Sequence, residues 1–81
     1  MINSEAIVSY LQATMPDAAV SITDRTGTGD HFSIRVVSAV FQDKNLLDRN
    51  RLIYQALREP MEDGRIHAME LKAQTPQEAG G

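Results

Sequence analysis

The sequence predicts a two-layer α+β fold, with helices packed on one face of a mixed three-stranded sheet, and three observations lead there. Apolar residues recur at helical spacing near the N-terminus. Two alternating runs then flank a short polar loop with two glycines, the pattern of an antiparallel hairpin. A helical region separates that hairpin from a third alternating run, and a crossover of this kind permits parallel pairing. Eighty-one residues suffice for one core and not for two. A single domain is therefore expected over residues 1–74, with 75–81 a disordered tail that has nothing to bury.

The first helix begins at a cap supplied by Asn3 or Ser4, with Glu5 placed well against the helix dipole. Ile7, Tyr10, Leu11 and Met15 form its apolar stripe, and Pro16 ends it by pushing the residue before it out of helical geometry. Residues 18–23 alternate Val20 and Ile22 against Ser21 and Thr23, which reads as a strand. Asp24 to Asp30 is the hairpin loop, and it leads into a second strand over 32–38 with Phe32, Ile34 and Val36 on one side. His31 stands where loop meets strand. No helix follows that loop, so its glycines are not a phosphate cradle.

Residues 42–47 are expected to make one helical turn, with Asp48 capping a helix towards Arg58. Leu46, Ile53, Ala56 and Leu57 are its expected buried stripe, and Arg49, Arg51, Gln55 and Arg58 are left to water. Pro60 breaks or kinks the helix. The pair Asp63-Gly64 turns the chain into a third strand over 65–73. Alternation puts His67, Met69, Leu71 and Ala73 on its apolar face, and Ile66, Ala68, Glu70 and Lys72 on the other. His67 thus sits at the lip of a core, a place that suits a structural histidine first and also a ligand.

The chain carries no cysteine, which removes a disulfide scaffold, a thiolate nucleophile and a self-contained thiolate metal site. It has no apolar run long enough for a membrane span and no signal-peptide pattern, so a cytoplasmic address is expected. The net charge of −3 is uneven. Residues 35–58 carry Arg35, Lys44, Arg49, Arg51 and Arg58 against Asp43 and Asp48, a local balance of +3, while both flanking segments are acidic. A modest basic patch of this kind is a solvated helix face or a contact for phosphate. Lys44, Arg49, Arg51 and Arg58 are its candidate partner-binding or nucleic-acid-binding residues. Two histidines with acids nearby lack an activated nucleophile or a pocket, so no enzyme is expected.

Four separated blocks, Phe32-Ser33-Ile34-Arg35-Val36-Val37-Ser38 with Phe41, Leu47-Asp48-Arg49-Asn50-Arg51-Leu52-Ile53-Tyr54, Ile66-His67-Ala68-Met69-Glu70-Leu71 and Thr75-Pro76, resemble the BolA-like family. The resemblance covers nearly the whole chain. It implies an α-β-β-α-α-β fold like the class II KH domain, in agreement with the order read from periodicity. Asn50 stands where the family commonly has a histidine, and Gln77 replaces the aromatic residue that often follows Thr-Pro.

The resemblance further implies a partner of monothiol glutaredoxins that shares a 2Fe–2S cluster, completed by glutathione, in iron–sulfur trafficking or iron regulation. His67 matches the family's cluster ligand, and His31 is the match for a second ligand from the loop between the first two strands. The family also includes transcriptional regulators, so a KH-like nucleic-acid-binding role is the alternative, and a weak homodimer is admitted. The chemistry agrees with a shared cluster. Such clusters take four ligands, normally thiolates, with two imidazoles tolerated on one iron. Two histidines and no thiol supply at most that half. Since imidazole ligates only when neutral, cluster sharing is expected to weaken below about pH 6.

Overall fold

The computed structural model describes residues 2–24 and 31–80. The element order is α1 (Ser4–Thr14), β1 (Ala19–Asp24), β2 (His31–Val37), a 3₁₀ turn (Ala39–Phe41), α2 (Leu46–Ala56), α3 (Arg58–Glu62), β3 (Ala68–Gln74) and α4 (Pro76–Gly80). The strands form one sheet in the order β1-β2-β3. β1 runs antiparallel to β2, with Ile22 opposite Ile34, and β3 runs parallel to β2, with Leu71 opposite Ile34. The mixed three-stranded sheet and α+β class predicted from periodicity are what the chain forms. The expected hairpin loop falls on residues 25–30 and lies outside the described residues, apart from Asp24 at the end of β1.

One face of the sheet meets the helices. Phe32, Ile34 and Val36 of β2 are buried against Ile7, Leu11 and Met15 of the α1 region and Ile53 and Leu57 of the α2 region. The 3₁₀ turn adds Phe41. Asn3 caps α1, its Oδ1 accepting from the Ala6 N–H at 2.8 Å. At the sheet's far end Ser38 is fully buried. Its hydroxyl donates to Asp17 Oδ1 at 2.7 Å, and Asp17 Oδ2 accepts from the Ala39 N–H at 2.8 Å. That pin ties the α1–β1 turn to the end of β2.

Four expectations are corrected. α2 is capped by Asn45, whose Oδ1 accepts from the Asp48 N–H at 2.8 Å, so Asp48 lies in the first turn and not at the cap. In consequence Leu46, expected in the buried stripe, is 65% exposed. The expected turn over 42–47 is displaced to Ala39–Phe41, and the chain reverses through Asp43 at φ 64°. β3 starts three residues later than expected, at Ala68, and Ile66, placed by alternation on the outer face, is 2% exposed. The Ile66 N–H donates to the Pro60 carbonyl at 3.0 Å, which keeps the residue in the turn after α3 and out of strand alternation.

The fourth correction concerns the tail. Residues 76–80 are helical, and Thr75 before them is buried. Thr75 Oγ1 accepts from the Glu78 N–H at 3.2 Å while Glu78 Oε1 accepts from the Thr75 N–H at 2.8 Å, a reciprocal capping box. Pro60, as expected, coincides with a break. It has no N–H to offer the residue four positions earlier, and the break falls at Leu57, where φ is −101° and ψ 14°. Gly64 takes φ +82° to close the turn after α3.

Candidate functional site

Parallel pairing brings the N-terminal ends of β2 and β3 together. His31 is the first residue of β2 and pairs in register with Ala68, the first residue of β3. His67 is the residue before Ala68. Neighbouring strands lie about 4.8 Å apart, so the backbone of His31 on β2 and that of His67 just before β3 stand side by side, one residue out of register, at one corner of the sheet. His67 is exposed and His31 half-buried. His31 shares its side of β2 with Ser33 and Arg35, the side away from the helices. His67 lies outside strand alternation. Its placement on the apolar stripe is therefore corrected: Met69, Leu71 and Ala73 face the core, and His67 is open to solvent.

These two side chains are the chain's whole complement of histidine, and no cysteine accompanies them. Among the described residues no group of three or more His, Cys, Asp or Glu side chains gathers in a way that would hold a metal ion. The donor set at the corner is two imidazoles and no thiol. Two imidazoles are donors that would suit one iron of a 2Fe–2S centre, and the second iron would take its ligands from elsewhere.

The four basic candidates do not act as one patch. Arg49, expected to face water, has a side chain only 14% exposed. Its Nε donates to the Lys44 carbonyl at 2.8 Å, and its Nη1 donates to the Ala73 carbonyl at 3.2 Å and to Glu78 Oε1 at 2.6 Å. This guanidinium holds the start of α2, the end of β3 and α4 together, and it keeps the Glu78 carboxyl below its ordinary value. Arg51 pairs with Asp48 at 3.6 Å and Arg58 with Glu62 at 3.2 Å, both on exposed helix surface. Lys44 is half-buried at the turn before α2. Each of the three arginines thus faces a carboxylate, and a nucleic-acid phosphate would have to compete with it.

One pairing escaped the sequence reading altogether. Arg65 Nη2 donates to the Tyr10 hydroxyl at 2.9 Å, with its guanidinium carbon 5.7 Å from the ring centroid, and Arg65 Nε bonds Asp63 at 2.9 Å. It ties the β3 approach, two residues before His67, to α1. Residues 10 and 65 carry no local signal of this contact, which only the fold creates.

Comparison with known proteins bears on the family. A family model described as BolA-like protein matches residues 7–78. Protein BOLA2 of Arabidopsis thaliana is 36% identical over 80 residues, covering 96% of this chain and 84% of its own. The structure of BolA1 from Arabidopsis thaliana superposes with a TM-score of 0.83 at 30% identity, covering 96% of this chain and 98% of that one. The BolA domain of SufE1 from the same plant gives a TM-score of 0.81 at 30% identity, covering 96% and 99%. This company is consistent with a role in iron–sulfur biology. By sequence and by topology, the chain belongs to the BolA-like family.

Proposed function

We propose that this chain is a non-catalytic partner of a monothiol glutaredoxin, sharing with it and with glutathione a 2Fe–2S cluster in iron–sulfur trafficking or iron-linked redox regulation. His67 is the principal ligand and His31 the second. What supports this is one juxtaposition: an exposed histidine immediately before β3, beside the histidine that opens β2, in a molecule without a thiol. When bound, the cluster supplies redox and transfer chemistry. The chain's own residues have narrower tasks. His67 brings an imidazole to the surface, where a partner has access. β2 carries His31 and the turn before β3 carries His67 at the same corner of the sheet, and the Arg65–Tyr10 contact steadies the approach to His67. The remaining ligands come from the partner's cysteine and from glutathione, because soft sulfur is what this chain lacks.

The test is to mix the protein with a cluster-loaded monothiol glutaredoxin and to record visible absorbance, circular dichroism and native mass. The wild type is expected to change the visible spectrum and to give a heterodimer carrying two irons. His67→Ala is expected to lose that spectrum while its far-ultraviolet dichroism is unchanged. An unaltered cluster spectrum with His67→Ala overturns the ligand assignment.

A further inference from the structure

The sheet has helices on one face only, and its other face carries an organised set of polar side chains. Across the three strands Ser21, Arg35 and Lys72 stand in one rung, and Thr23, Ser33 and Glu70 in the next. Together they line a concavity of about 410 Å³. Arg35 and Lys72 are direct partners in the parallel pair, and like charges placed opposite one another disfavour the sheet. Among the described residues neither cation forms an ion pair, although the Glu70 carboxylate lines the same concavity. Arg35 Nε donates to the neutral Gln74 Oε1 at 2.7 Å, and the Lys72 ammonium forms no ion pair among the described residues. Glu70, on the neighbouring rung, is engaged in an interaction of its own.

We propose that this open face binds the phosphate monoester of a sugar or polyol, with Arg35 and Lys72 on the phosphoryl oxygens and the hydroxyls of Ser21 and Ser33 completing the donor set. A phosphate monoester carries close to two negative charges at neutral pH, which matches the two cations. Arginine's fork and lysine's point charge are the side chains that take such a group, and surrounding hydroxyls supply further donors. The concavity is larger than a phosphoryl group and within the range of small-ligand sites. The rest of the ligand is polar, because no aromatic side chain lines the concavity and nothing there stacks a nucleobase. This face is separate from the arginines of α2 and α3, and it does not depend on the cluster reading.

The experiment is an amide chemical-shift titration of the whole protein with glucose 6-phosphate, inorganic phosphate, glucose and a single-stranded oligonucleotide, at constant ionic strength set with sodium chloride. Glucose 6-phosphate is expected to give saturable shifts at Ser21, Ser33, Arg35 and Lys72, at least threefold tighter than inorganic phosphate, and glucose none. Lys72 is exposed, so Lys72→Met should stay folded and bind at least tenfold more weakly, with Lys72→Arg restoring most of the affinity. Several outcomes overturn the proposal: no saturable shift, an undiminished response in Lys72→Met, equal affinity for inorganic phosphate, or tighter binding of the oligonucleotide on this same face.

Discussion

Two carboxylates are held in their ionised form by contacts that exist only in the fold. The Ala39 N–H and the Ser38 hydroxyl hold the Asp17 carboxyl below the usual carboxylate range, and Arg49 followed by the Thr75 N–H does the same for Glu78. A carboxyl whose folded value lies below its unfolded one binds protons more readily in the unfolded chain. The stability it contributes is complete above the unfolded value and is lost as pH falls towards the folded one. Acid should therefore loosen the protein from about pH 4.5 downward, first through Glu78 and then through Asp17. Both groups are solvent-accessible, so the loss should be gradual and reduced by salt. Urea denaturation from pH 7 to pH 3 tests this. Asp17→Asn should flatten the lower part of the slope and Glu78→Gln the upper part, and a slope unchanged in both variants would assign the acid response to other groups.

At the level of elements, the C-terminal helix teaches the most. Pro76–Gly80 is too short to be stable alone, since helix nucleation is costly. It is formed by the Thr75–Glu78 capping box and anchored by Arg49. Thr75→Ala removes the cap hydroxyl and should cost about 1 kcal/mol, within a range of roughly 0.5–2. For a domain of this size that is a fall in melting temperature of about 4–8 °C per kcal/mol, readable by calorimetry.

The capping box was legible. Thr75-Pro76-Gln77-Glu78 has the hydroxyl, the proline at the first helical position and the acid three residues after the cap. It was overlooked because the five residues after Thr75 contain no apolar stripe, and an unburied helix gives no periodicity to read. α1 was legible for the opposite reason, having a cap, a stripe and a terminating proline in order. The start of α2 misled because Asn45 and Asp48 are both good caps, and only the observed hydrogen bond chooses between them. The candidate site divides likewise. That His31 and His67 share one end of the sheet follows from the parallel register of β2 and β3, which the sequence permitted without fixing. The fate of Arg49 was hidden, because its ion pair joins residues far apart in sequence across the end of β3. Ile66 was misplaced because alternation was extended back into a turn.

The whole molecule is asymmetric, with one covered sheet face and one open face, and the central strand experiences both. β2 lies between two neighbours, so its alternate residues report on the two environments with the backbone held constant. Ile34 is 1% exposed and contacts the helical layer, whereas Ser33 beside it points to the open face and is half-buried. Stability for a domain of this size is on the order of 4–12 kcal/mol, because large opposing terms nearly cancel. Ile34→Ala removes buried methylenes and leaves a cavity that the surrounding core fills only in part, a loss of about 2–5 kcal/mol. That is a large fraction of the total, and the variant should be partly unfolded at 37 °C. Ser33→Ala leaves no cavity and deletes a hydroxyl with access to water, so its effect should stay within about 0.5 kcal/mol. Guanidinium denaturation of the two variants side by side measures the contrast. If Ser33→Ala matched Ile34→Ala, the open face would have to be covered in solution, and the two-layer description would give way to one in which another molecule supplies a third layer.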